Sequence, residues 1–293
     1  MPDSWPLRYH LAMRALNQPV SWWGWHWEPP TPMSIIEIIR AGNMSARVAA
    51  MLWIGLERGA SLIIAAEPPN SGKTTTLTAL LSFTPPDSAV YFTRGMGETF
   101  ALPPRSESYP TYILINEMSD HIPVYTWDDN ARRAFQLLGE GYSIATTMHD
   151  ETVEGVLRQL QGDLGIPSRH VANLTFIMPM YIGRVVGPAI VHSDGPAPGA
   201  MRRVLEVALL GPDGGDVSVT TIASWKIESD SFDILSTPQQ KEALATWAVL
   251  SVGELDANID KRERFLNELL SAGVNSIPEV NAAIEAFSVE TPR

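Results

Sequence analysis

The chain has 293 residues, 33 acidic and 21 basic side chains, a formal charge of −12 and 45% apolar residues. This length and apolar content suit one large globular domain or a domain with an appendage, and the acidic excess argues against a non-specific nucleic-acid binder, which needs clustered positive charge to displace counterions. There is no cysteine, so disulfides, thiolate catalysis and cysteine-ligated metals are excluded.

Residues 1–32 read as a Trp/Pro-rich arm. Five of the nine tryptophans fall there (Trp5, Trp22, Trp23, Trp25 and Trp27). They either pack onto the main body or dock a partner. The N-terminus lacks a charged segment followed by a long apolar core, and no apolar run reaches the roughly 20 residues that span a bilayer. The expected location is therefore the cytoplasm, without membrane insertion.

Helices are expected over Ser34–Arg40 and Ser45–Arg58, with Ser34 and Ser45 as N-caps and Gly42 and Gly59 as stops. Ala60–Ala66 is a short, nearly all-apolar strand, the pattern of a parallel strand covered on both faces. It runs into the loop EPPNSGKTT and a helix over Thr75–Ser82. Strands follow at Ala89–Thr93, Tyr112–Ile115 and Tyr142–Thr147, and helices at Asn130–Leu138 and Val153–Leu164. Strands at Leu174–Met180 and Met201–Leu210 flank the loop HSDGPAPGA. Val217–Ile222 and Ser224–Ile227 continue an antiparallel run, and Lys241–Leu250, Glu254–Ala272 and Pro278–Phe287 close the chain with helices. Alternating strands and helices imply an α/β fold: a mostly parallel sheet flanked by helices, then a small antiparallel β segment and a C-terminal helical region. The expected divisions are an arm at 1–32, a main domain at 33–236 and a helical region at 237–293.

The strongest chemical signal is Asn70-Ser71-Gly72-Lys73-Thr74-Thr75 between an apolar strand and a helix. A phosphate loop needs small residues so that successive backbone N–H groups face the phosphates. It also needs a lysine for the β and γ oxygens and a hydroxyl for Mg²⁺. Gly72, Lys73 and Thr74 supply these in order, and the helix N-terminus adds its dipole. Lys73 is one of only four lysines in the chain. The full phosphate-loop pattern asks for a glycine where Glu67 stands; either Glu67 replaces it or one residue is inserted after Ala66, and Pro68 and Pro69 lack N–H donors.

Tyr112-Ile-Leu-Ile-Asn-Glu117 is an apolar strand ending in a carboxylate. Placed beside the loop strand, it sets Glu117 near Mg²⁺, bound through water, and near the attacking water. Ile144-Ala-Thr-Thr-Met-His-Asp150 ends in polar groups, with Thr146, Thr147 and His149 expected at the same sheet edge and His149 able to sense a γ-phosphate.

As a set, MSARVAAMLWIGLERGASLIIAAEPPNSGKTTTLTALL, YILINEMSD and GEGYSIATTMHDETVEGVLRQL resemble the traffic ATPases. These are the P-loop (RecA-like) motors of type II and type IV secretion, type IV and tight-adherence pili and the archaellum. The resemblance spans about residues 33–287, including the arginine-bearing stretch Met201–Val207 and the C-terminal helices. It implies bound ATP and Mg²⁺, with Lys73 and Thr74 at the phosphates and metal, and Glu117 and His149 as catalytic residues. It also implies self-association into a ring, inner-membrane platform proteins as partners and a peripheral place at the inner face of the membrane. Departures fall on the catalytic parts: Glu67 in place of glycine, Thr93-Arg94 in place of an acidic pair, and Asn116 in place of the glycine before Glu117. Two outcomes stay open, a slow ATPase and an inactive nucleotide-binding or scaffold relative.

Overall fold

A computed structural model describes residues 14–17, 32–186, 189–192 and 200–290. The five N-terminal tryptophans and the central part of the HSDGPAPGA loop lie outside these residues.

The strands are β1 (Arg14–Ala15), β2 (Leu62–Ala65), β3 (Ala89–Phe92), β4 (Thr111–Leu114), β5 (Ser143–Met148), β6 (Phe176–Val186), β7 (Ala189–His192), β8 (Met201–Val204), β9 (Glu206–Asp213), β10 (Asp216–Lys226) and β11 (Ser231–Ile234). The helices are α1 (Ile35–Arg40), α2 (Ala46–Leu56), α3 (Lys73–Leu80), α4 (Asp128–Gly139), α5 (Val153–Arg158), α6 (Ser168–Val171), α7 (Pro238–Ala248), α8 (Val252–Ala272) and α9 (Ile277–Glu290).

The sheet runs β1-β3-β4-β5-β2-β6-β9-β10-β11. Pairings from β1 through β6 are parallel, and those from β6 onward are antiparallel. The fold is thus mixed α/β with a mostly parallel central sheet. Its apolar strands alternate between two helical layers because successive side chains leave a strand on opposite faces. Leu62, Ile64, Tyr112 and Leu114 join the core beneath α1, α2, α3, α8 and α9. Ile63, Ala65, Ile113 and Ile115 join the core beneath α4 and α5.

Local signals place the first elements. The Ser34 hydroxyl accepts from the Glu37 N–H and the Ser45 hydroxyl from the Val48 N–H, and Gly42 and Gly59 take the positive φ that ends a helix. Four features differ from the sequence expectation. Helix α3 begins at Lys73 rather than Thr75, because Gly72 takes a left-handed conformation and starts the helix two residues earlier. The expected strand Met201–Leu210 divides at Leu205, where the chain passes from β8 to β9 and the Leu205 N–H binds the Pro179 carbonyl. Strand β6 is much longer than expected, because it pairs with β2, β9, β8 and β7 along its length. Within the expected arm, β1 adds a parallel edge strand to β3. Asn17 then clamps the far end of β3, donating to the Phe92 carbonyl and accepting from the Phe92 N–H, both at 2.6 Å. The short elements β7, β11 and α6 were not legible in the sequence.

Candidate functional site

The chain leaves β2 at the sheet centre, re-enters at β3 and steps back through β4 and β5. Strand β6 then lies on the other side of β2. Reversals of strand order open a crevice at the strand carboxyl ends, the usual ligand position in open α/β sheets. The segments following β2, β4 and β5 meet there.

After β2 the chain turns through Asn70, at φ +60°, and Gly72, at φ +93°, into α3. The Lys73 side chain is buried and its ammonium donates to the Ala66 carbonyl at 2.8 Å. Burial pulls the Lys73 pKa below its ordinary value, against the opposing charges of Glu117 and Glu67. Ser71 is buried at 1% exposure, and its hydroxyl has no hydrogen-bond partner. Thr74 and Thr75, half-buried, lie in the first turn of α3. The Glu67 side chain is exposed.

Strand β4 does not lie beside β2, as the sequence reading placed it: β5 stands between them. Glu117 reaches the site all the same, because it follows β4 by three residues and turns toward the end of β5. Its carboxylate lies 3.1 Å from His149 Nε2 and accepts from the Ser119 hydroxyl at 2.9 Å. Burial pushes the Glu117 pKa up, but the hydrogen bond and charge of His149, Ser119 and the Lys73 charge outweigh it and hold the carboxyl below its ordinary value. The hydrogen bond to Glu117 raises His149, against burial and the Lys73 charge. His149 Nδ1 meets the Glu67 carbonyl at 3.0 Å, so the residue in the glycine position contributes its backbone to the site. Thr146 and Thr147 differ from expectation. Both are buried in β5 rather than presented at the sheet edge, and Thr147 donates to the Asn116 carbonyl. Asn116 is itself buried, with its Nδ2 unpartnered.

Three residues escaped the sequence reading. Arg202, on β8, donates from Nε and Nη2 to the Asn70 carbonyl at 3.3 and 3.1 Å. Its neighbourhood in the sequence carried only the signal of paired arginines. His121 Nδ1 lies 3.9 Å from Glu117 Oε1; its only signal was a four-residue spacing after Glu117. Gln159 opens a single π-helical turn after α5 and donates to the His149 carbonyl at 2.6 Å and to Asp150 Oδ2 at 3.1 Å, which fixes the backbone that carries His149.

No known protein-family profile matches the chain. Uncharacterized protein MJ0900 of Methanocaldococcus jannaschii is 30% identical over an alignment covering 49% of this chain and 29% of that protein. Uncharacterized protein MJ1287 of the same organism is 22% identical, with 82% of this chain and 92% of that protein covered. The chain therefore spans under a third of the first relative and most of the second. Among the described residues no helix is long and apolar enough to cross a membrane.

Proposed function

We propose that the chain is a P-loop nucleotide-binding protein of the traffic-ATPase type, binding ATP with Mg²⁺ at the end of β2 and hydrolysing it slowly. The observation that carries the reading is the convergence of Lys73, Glu117 and His149 at one sheet edge, from three separate segments. The local chemistry fits a phosphate. The Ser71 hydroxyl is buried without a partner, and Gly72 leaves a backbone cradle where a Cβ would come within 3.0 Å of Arg202 Cδ. Lys73 would reach the phosphate oxygens after leaving the Ala66 carbonyl, with the Ser71–Thr75 backbone around it. Thr74 would hold Mg²⁺ and Glu117 a water of its shell. Bound Mg-ATP supplies a phosphoanhydride bond whose hydrolysis drives motion. In this chain Glu117 orients water and His149 holds the carboxylate in place. The corresponding biological role is a secretion or pilus-assembly motor, acting as a ring at the inner face of a membrane beside platform proteins.

Binding without turnover is favoured by what the site lacks: Thr93 and Arg94 stand where the traffic ATPases carry an acidic pair, and phosphoryl transfer relies on positioned charge. That reading makes the chain a nucleotide-binding scaffold or regulator of a motor. Calorimetric titration with Mg-ATP and a phosphate-release assay, each on wild type and Lys73→Ala, test both. The expected result is binding weakened at least ~10-fold by the loss of a charge-assisted phosphate contact worth roughly 1.5–3 kcal/mol. Equal background phosphate release from both proteins removes the ATPase reading, equal ATP affinity removes Lys73 and its loop as the nucleotide site, and absence of ATP binding by wild type removes nucleotide binding.

A further inference from the structure

Glu117, His121 and His149 bring one carboxylate oxygen and two imidazole nitrogens within 4.8 Å of one another. The three residues come from two segments, the turn after β4 and the end of β5. Their arrangement is held from outside the triangle. The Ser119 hydroxyl donates to Glu117 Oε1 at 2.9 Å. His149 Nδ1 meets the Glu67 carbonyl at 3.0 Å, and Gln159 grips the His149 carbonyl.

A carbonyl oxygen is an acceptor only, so the His149 ring nitrogen facing Glu67 carries hydrogen. Nε2 then faces Glu117 Oε1 at 3.1 Å, and in the neutral ring this sets one electron pair against another. A second ring proton or a cation between the two atoms resolves the conflict. A proton requires only the one acceptor. Here a third electron-pair donor, His121 Nδ1, lies 3.9 Å from the same oxygen, and the two imidazole rings sit 5.2 Å apart at a tilt of 58°. Convergence of three donors on one point is the requirement of a metal ion, and a histidine whose other nitrogen is fixed by a backbone carbonyl is the common outer arrangement of a metal ligand.

We propose that Glu117, His121 and His149 form a binding site for a divalent first-row transition ion of the zinc class, with a coordination position left open for water or a phosphate oxygen. Two imidazoles and one carboxylate are a donor set for zinc, iron(II) or cobalt(II), whereas Mg²⁺ takes oxygen donors and keeps much of its water. Bonds of about 2.0–2.1 Å place the donors of a tetrahedral site roughly 3.3 Å apart. Glu117 and His149 already stand near that separation. His121, with a side chain 59% exposed, closes the remainder by side-chain rotation in an open turn. Three protein ligands leave the fourth position open, as in catalytic rather than structural zinc sites, and an ion there lowers the pKa of bound water or polarises a phosphoryl oxygen. The site shares Glu117 and His149 with the nucleotide reading but does not rest on it: its three donors converge whether or not nucleotide binds, and an ion held there would take the place of the Mg²⁺-shell water assigned to Glu117.

The test uses the full chain without a polyhistidine tag, stripped with chelator, dialysed and titrated with Co²⁺ in the absence of nucleotide. Wild type is expected to bind one equivalent with visible d–d absorption, displaced by Zn²⁺. His121→Ala, at an exposed position that leaves the fold intact by circular dichroism, is expected to weaken Co²⁺ binding by more than ~10-fold, since loss of even an outer-shell partner costs about 10–100-fold. Absence of stoichiometric Co²⁺ binding by wild type overturns the site, and so does an affinity unchanged in His121→Ala. Because nucleotide is omitted, a chain that binds no ATP can still bind Co²⁺, and one that binds ATP but not Co²⁺ overturns the metal site alone.

Discussion

Gly72 holds φ at +93° and starts α3 at Lys73. A side chain at that position meets two costs. The left-handed backbone disfavours any Cβ by roughly 1–2 kcal/mol, and the added carbon would lie 3.0 Å from Arg202 Cδ. Gly72→Ala is therefore expected to lose about 1–2 kcal/mol of stability in urea denaturation and to displace Arg202 from the Asn70 carbonyl. An unchanged midpoint and slope would show that the turn relaxes without strain. The sequence marked the loop between β2 and α3 because the order Gly72-Lys73-Thr74 is local. His121 and Arg202 were hidden because their partners, Glu117 across a turn and Asn70 across the sheet, are set by the path of the chain.

Among the elements, Arg203 on β8 joins the end of α1 to the β10–β11 turn. Its guanidinium donates from Nε and Nη2 to the two carboxylate oxygens of Asp230, both at 2.7 Å, and from Nη1 to the Ala41 carbonyl at the end of α1. Asp230 in the β10–β11 turn also accepts from the Trp225 indole N–H at 2.9 Å. The Arg203 hydrogen bonds hold the Asp230 carboxyl below its ordinary value, against partial burial, with Trp225 adding to the effect. A carboxyl lowered on folding contributes stability above its unfolded value of about 3.9, and that stability is lost as pH falls through the lower folded value. Thermal melts of wild type are thus expected to fall below about pH 4 more steeply than those of Asp230→Asn. Parallel acid limbs in the two proteins would assign the acid sensitivity elsewhere. Element boundaries were legible where capping is local, at Ser34 and Ser45. They were not legible at Leu205 or in β6, where backbone partners distant in sequence decide where a strand ends.

Across the whole molecule, the C-terminal helices share a core with the sheet. Trp53 of α2 stacks on Phe83 at 4.7 Å and 9° and contacts Phe287 of α9 and Phe265 of α8. Beside them Arg262 of α8, 2% exposed, pairs with both oxygens of Glu57 at the end of α2, at 2.9 and 2.7 Å. Its guanidinium also lies 5.5 Å from the Trp53 ring. Glu57 has Arg58 as a second partner, whereas the other hydrogen bonds of Arg262 go to Asn258. Removing the acid strands a buried cation, while removing Arg262 leaves the acid paired. Glu57→Ala is expected to cost about 3–5 kcal/mol, and Arg262→Met, which keeps the apolar stem volume, distinctly less. Equal losses in urea denaturation would remove this asymmetry. The α/β class, the two capped helices and the strand–loop–helix around Lys73 follow from sequence alone, because each depends on periodicity or on contacts a few residues apart. The separation of β4 from β2 by β5, the meeting of Glu117 with His149 and the entry of His121 and Arg202 into the site arise only in the folded chain. Strand order is set by burial of both sheet faces over the whole chain, a balance of long-range packing that no local residue pattern encodes.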